Sequence, residues 1–343
     1  MKRSYEMDLC SGPLLSKILL FSLPLILSGV LQLLFNATDI VVVGKFAGSN
    51  AMAAVGSTTS LFNLLVNSFI GISVGANVLV ARHYGERDYD GVQQTIQTAL
   101  LTGLIGGTIL IVLGVVLARP MLTLMATPDE VIDQAVLYMQ VYFIGMPATM
   151  IYNFGAAVLR AVGDTRGPAV IIASGCLVNV VLDIIFVAVL HLEALGCGIA
   201  VALTICSNAT MIVIRMMRAP GAWRLSISKL GIDRGICKSM LSCGLPLGFQ
   251  SAAYSISNVL IQVSVNSFGA DVTTAWGLSG RLDGIIWMVT EALGVSITTF
   301  SAQNFGARNY ERMRKGYHTS LVLSFLLIGG LSGVLLVFSG PLS

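Results

Sequence analysis

Five ionisable side chains stand inside long apolar runs of this sequence: Asp39, Asp183, Arg281, Asp283 and Glu291. In hydrocarbon each costs about 2.5–3.5 kcal/mol near a helix centre, so each is a candidate for function. Asn179 precedes Asp183 by four residues and shares its face if that run is helical. Measured from the ends of their apolar runs, Asp39, Asp183 and Thr204 fall at similar depth, toward one surface of the membrane. Two carboxylates, an amide oxygen and a hydroxyl in a low-dielectric cavity suit a hard monovalent cation such as Na+. They equally suit a protonation switch, because two nearby carboxylates do not readily both stay ionised. Asp283, Trp287 and Glu291 follow i, i+4, i+8 spacing and share a second face. With Asn36 they form a candidate substrate path, although compensating charge within a helix bundle fits the same spacing.

These residues need helices to position them. Of the 343 residues 55% are hydrophobic and 11% charged, with a mean hydropathy of +0.84. A soluble domain carries about 25% charged residues, so a soluble fold is excluded and an all-α polytopic membrane protein is expected. Nine apolar stretches are long enough to cross a bilayer: 18–43, 52–80, 92–118, 131–159, 168–190, 195–217, 240–267, 272–300 and 317–339. Seventeen of the 20 Lys and Arg then fall on one side, with Lys45 and Arg119 opposite and Arg281 within a span. The positive-inside rule places that side, and the N-terminus, in the cytoplasm of a multi-pass cell-membrane protein.

The chain also repeats itself. Ala81 to Asp90 aligns with Ala302 to Glu311 at an offset of 221, and Leu23-Pro24-Leu25 returns as Leu245-Pro246-Leu247. One repeat holds six spans, an even number, so both copies enter from the same side as parallel repeats. The expected organisation is a six-helix lobe over 1–218, a cytoplasmic linker over 219–239, and a three-helix part of a second lobe over 240–343. The last three helices of a twelve-helix protein are expected to be missing. Pro24 and Pro246 sit at matching points of spans one and seven and suit hinges or plain packing kinks. Pro147 interrupts span four.

No enzyme signature is present. Gly163-Asp164-Thr165-Arg166-Gly167-Pro168 lacks the ending of a phosphate loop, and the six cysteines show no metal-ligand spacing. The linker cations are accounted for by the positive-inside rule rather than by nucleic acid. No cofactor is expected. Without an ATP site, uphill transport must draw on an ion gradient.

At this point the residues resemble the MATE family of multidrug and toxic compound extrusion transporters. The resemblance rests on Leu23-Pro24, on Gln32 to Asp39 followed by Gly44 and Gly48, and on Ala81 to Gly85. It continues through Leu159 to Arg166, Asn179 to Asp183, and Gln303 to Ala307. It implies two six-helix lobes around a cleft and export of amphiphilic, often cationic drugs or metabolites against inward Na+ or H+ flow. It implies a monomer whose coupling-cation (metal or proton) site is Asp39, Asn179, Asp183 and Thr204, the same four reached from depth. Some members carry an acidic residue in span seven; the stretch from Gln250 to Gln262 has none, so this chain is similar to members relying on the first lobe. The alternatives are a flippase for a lipid-linked saccharide, which needs a more cationic cleft, and a non-transporting truncated membrane protein.

Overall fold

The computed structural model describes residues 7–46, 48–125, 127, 129–221, 223–266 and 268–337, and contains helices and turns but no strand among them. Ten α-helices follow in order: α1 (Leu14–Phe46), α2 (Gly48–Glu86), α3 (Tyr89–Leu124), α4 (Asp129–Ile144), α5 (Met146–Ala161), α6 (Arg166–Asp183), α7 (Glu193–Met217), α8 (Arg234–Asn266), α9 (Ala270–Gly306) and α10 (Tyr310–Val337). A π-helical turn over Ile184–Val189 continues α6, and a 3-10 turn over Ile227–Lys229 lies in the linker.

Each of the nine apolar stretches coincides with one of these helices or with the α4–α5 pair, every helix starting ahead of its stretch; residues 267, 338 and 339 lie outside the described residues. Stretch 131–159 is split into α4 and α5, bent by 47°. Pro147 enters at the first turn of α5, where its missing N–H costs nothing, and its ring ends the helix before it. By length and composition seven helices can cross a membrane, or eight with the bent pair taken as one span. The seventh stretch, in α8, is long but falls below that measure, because Gln250, Ser251, Ser255, Ser257, Asn258, Gln262 and Ser264 dilute its apolar content. Large apolar side chains such as Leu23, Leu27, Leu34, Val116, Phe325 and Leu326 stay exposed on the outer faces. In water they would be an aggregation surface; against acyl chains they are matched to their solvent.

The repeat seen in the sequence is reproduced atom by atom in the turns that follow α2 and α9. Arg87 and Arg308 both adopt positive φ, at 61° and 55°. Asp88 N–H donates to His83 O and Asn309 N–H to Asn304 O, at 3.0 and 2.8 Å. Asp88 then caps α3 by accepting from Gly91 N–H, as Asn309 accepts from Arg312 N–H at the start of α10.

Where the two parts of the chain meet, the contacts are reciprocal. A Cβ on Gly85 would collide with the Gln303 backbone, and one on Gly306 with the Arg82 backbone. Residues 85 and 306, and 82 and 303, are related by the same offset of 221. Two helices therefore cross backbone to backbone about a pseudo-twofold axis, which only glycine allows. Thr299 Oγ1 donates to Asn77 Oδ1 at 3.1 Å nearby. On one flank α2 packs along α8 through Gly71, Gly75, Gly244 and Gly248; on the other α1 packs on α9, where Ser22 and Ser296 hydroxyls meet at 2.7 Å. The linker is anchored rather than loose: Trp223 and Leu225 are buried, and Asp233 N–H donates to Thr98 Oγ1 on α3 at 3.1 Å.

Candidate cation site and cleft residues

Asn179 and Asp183 on α6 and Thr204 on α7 are buried, with 0, 0 and 2% of their surface exposed. The two helices are locked in register by Gly175, which sits against the Asn208 side-chain amide and leaves no room for a Cβ. The helices run antiparallel. Four residues forward on α6 is Asn179, and four back on α7 is Thr204, so both lie about 6 Å from that contact at 1.5 Å rise per residue. Asp183 lies one further turn on, at the last α-helical residue before the π turn. A π turn carries an extra residue per turn, loosens the carbonyl ladder and recurs at functional positions.

Two oxygen atoms at this level lack a hydrogen-bond partner among the described residues: Thr204 Oγ1 and Asn208 Oδ1. An unmade hydrogen bond on a buried oxygen costs about 1–3 kcal/mol, and a bound cation would satisfy both. Asn208 was missed in the sequence. Its one signal was i, i+4 spacing from Thr204, which places both on one helix face.

The side chains of Asp39 and Asn36 lie outside the described residues, but the backbone fixes their level. Cys176 Sγ lies 3.5 Å from Leu31 O and pins α6 to α1, which runs in the same direction. Asp39 is eight residues beyond Leu31 and Asp183 seven beyond Cys176, so at about 1.5 Å per residue they rise about 12 and 10.5 Å from one contact. The depth match read from the sequence is thus a property of helix register.

The residues of α9 form a separate group. Trp287 stacks on Tyr254 of α8, with ring centroids 4.9 Å apart at 15°. Glu291 is exposed and close enough to Arg160, at the end of α5, to act on it electrostatically. Asp283 is exposed and makes no ion pair among the described residues, and the Arg281 side chain lies outside them. The structure therefore joins Trp287 to Tyr254. In the sequence Arg160 reads as a loop cation; in the fold it ends a helix, half-buried. Pro24 and Pro246 both fall inside long helices, α1 and α8.

Two motifs prove structural. Gly163 adopts φ +94° and lies directly against the Met7 backbone. Asp164, 1% exposed, accepts from Gly167 N–H at 2.9 Å to start α6 and pairs with Arg215 at 2.5 Å. Among the described residues the one cluster with metal-ligand character is His83, Glu86 and Asp88. It is part of the α2–α3 turn, where Asp88 serves as the α3 cap.

Comparison with known proteins bears on the whole chain. The MatE family model matches residues 24–185 and 246–343, two segments that begin at the paired prolines. The probable multidrug resistance protein YoeA of Bacillus subtilis (strain 168) is 28% identical over 327 residues, covering 93% of this chain and 71% of that protein. An FAD transporter of Shewanella oneidensis is 24% identical, covering 93% of this chain and 71% of that one. Among solved structures, an outward-facing multidrug resistance MATE family transporter of the MOP superfamily superposes with a TM-score of 0.91 at 21% identity, over 100% of this chain and 76% of that one. A crystal structure of MATE in the bent conformation gives 0.90 at 22% identity, over 97% and 75%.

Proposed function

Because the chain belongs to the MatE family, whose members are transporters and not enzymes, we propose that it is a cation-coupled antiporter exporting amphiphilic drugs or metabolites. Residues 1–218 act as one lobe and 240–343 as part of a second, joined by the linker over 219–239. The Lys- and Arg-rich face lies in the cytoplasm. Na+ or H+ enters from the opposite face and binds among Asp39, Asn179, Asp183 and Thr204, with Asn208 beside them. Substrate occupies the cleft between the lobes, where Asn36, Asp283, Trp287 and Glu291 line its path. The lobes rock about their shared axis, with Pro24 and Pro246 as hinges, to expose the cleft to one side at a time.

The observation that carries this reading is the pair of unsatisfied buried oxygens, Thr204 Oγ1 and Asn208 Oδ1, level with wholly buried Asn179 and a turn from wholly buried Asp183. A structural hydrogen-bond network would close on itself; among the described residues this one leaves two oxygens without a donor on one face of α7, which suits a guest cation. The names of the two relatives, a probable multidrug resistance protein and an FAD transporter, support a small-molecule cargo. The test is efflux of a fluorescent cationic dye from vesicles with Na+ and H+ gradients imposed separately. Dye movement that neither gradient alters, or that survives Asp183→Asn undiminished, defeats the coupling site.

A further inference from the structure

The segment Met7–Pro13, ahead of α1, lies across the seam between the two lobes. Met7 backs onto Gly163 of the first lobe. Leu9, 1% exposed, is packed with Phe21 of α1 and Phe300 of α9. Leu9 N–H donates to Gln303 Oε1 at 3.2 Å, and Leu9 O accepts from Asn304 Nδ2 at 3.3 Å and Arg312 Nε at 3.1 Å. Ser11 O accepts from Arg312 Nη2 at 2.7 Å. Gln303 Nε2 meanwhile donates to Ala161 O of the first lobe at 2.7 Å. The Arg312 guanidinium also stands 5.7 Å above the Phe300 ring. Asp8, bonded to Ser11 Oγ and with its carbonyl taken by Lys17, holds the segment in its curve.

The repeat supplies the second observation. Position 312 corresponds to Gly91, and both backbone N–H groups make the same helix cap. The turn therefore does not need a side chain there. The arginine is an addition of the second copy, and its guanidinium goes to the strap.

We propose that residues 7–13 form a strap that keeps the lobes closed on the cytoplasmic side, and that Arg312 is its positioning residue. The strap is continuous with α1 and so travels with the first lobe. Parting the lobes at this face must break the contacts of Leu9 and Ser11 with Gln303, Asn304 and Arg312. The inference rests on the alternating-access reading above.

The strap carries its own reporter, Cys10, which is half-buried. Burial and the neighbouring Asp8 charge also raise its thiol pKa, so the docked thiol is slow to react. In protein with the other cysteines replaced, labelling of Cys10 by an impermeant maleimide in inside-out vesicles is compared between wild type, Arg312→Met and Arg312→Lys. Spin labels on the exposed repeat-related positions Asp90 and Glu311, in protein lacking the native cysteines, report lobe separation at the same face. Arg312→Met is expected to raise labelling about tenfold, the effect of losing charge-assisted hydrogen bonds, and to shift the Asp90–Glu311 distances longer. Arg312→Lys, which keeps one donor, is expected to fall between. Unchanged labelling overturns the role of Arg312. Faster labelling with an unchanged distance distribution overturns the strap as a gate. A wild-type distance that no ion gradient moves instead defeats alternating access itself, and the labelling comparison tells the two failures apart.

Discussion

Thr204 shows how function and stability oppose each other at a single residue. Its hydroxyl is buried without a partner among the described residues, so Thr204→Val, which keeps the shape, is expected to stabilise the protein by about 1–3 kcal/mol. The same change should reduce Na+- or H+-dependent protection against heat, and a thermal melt with and without the ion checks both. Asp183→Asn should likewise leave the melt near or above the wild-type value, since it removes a buried charge, while gradient-driven dye efflux is lost. Asp164 is the opposite case. Its carboxylate pairs with Arg215 and caps α6, so Asp164→Ala is expected to cost about 3–5 kcal/mol, measured as a fall in melting temperature. Burial alone would raise the Asp8 pKa, but bonds from Ser11 and Cys10 and the charges of Lys17 and Arg312 outweigh it and hold it below the ordinary value. A lowered carboxyl pKa stabilises above the ordinary value and loses that contribution as pH falls through the lowered one. Docking of the strap should therefore be complete at neutral pH and weaken only in acid below the usual carboxylate range, read as faster deuterium exchange at Leu9. The residue types at these positions were legible in the sequence. The pairing of Asp164 with Arg215 was not, because it depends on two helices 51 residues apart meeting.

At the scale of elements, the decisive features are close approaches. Gly85 and Gly306 let α2 and α9 touch backbone to backbone, and Gly107 does the same for α3 against Pro147. Overpacking such a crossing costs about 1–3 kcal/mol, so Gly85→Ala should lower the melting temperature and move the Asp90–Glu311 spin-label distances outward. The equivalent change at Gly330, which faces open space, is the control and should do neither. Helix positions could be read from hydropathy because bilayer thickness imposes a length on any spanning run. The break between α4 and α5 was legible from Pro147. The π turn after Asp183 had no comparable signal: Ile184–Val189 is an unbroken apolar run with no proline or glycine to mark it.

At the scale of the molecule, two repeats face each other and each sends its leading segment onto the other: the strap onto α9 and α10, the linker onto α3. If the basic face is cytoplasmic, a protease site placed ahead of Met7 should be cut in inside-out vesicles and protected in right-side-out ones. The sequence by itself determined the membrane setting, the helix order and the repeat. Those follow from composition, hydropathy period, charge asymmetry and helical rise, all of which act along the chain. Only the tertiary structure decided that Asn208 joins Thr204 on a face locked to α6, that Trp287 stacks on Tyr254, and that Arg312 departs from its repeat partner to hold the strap. Such contacts depend on how helices cross, and crossing is set by which small residues let two backbones approach, a property of pairs that no single stretch of sequence contains.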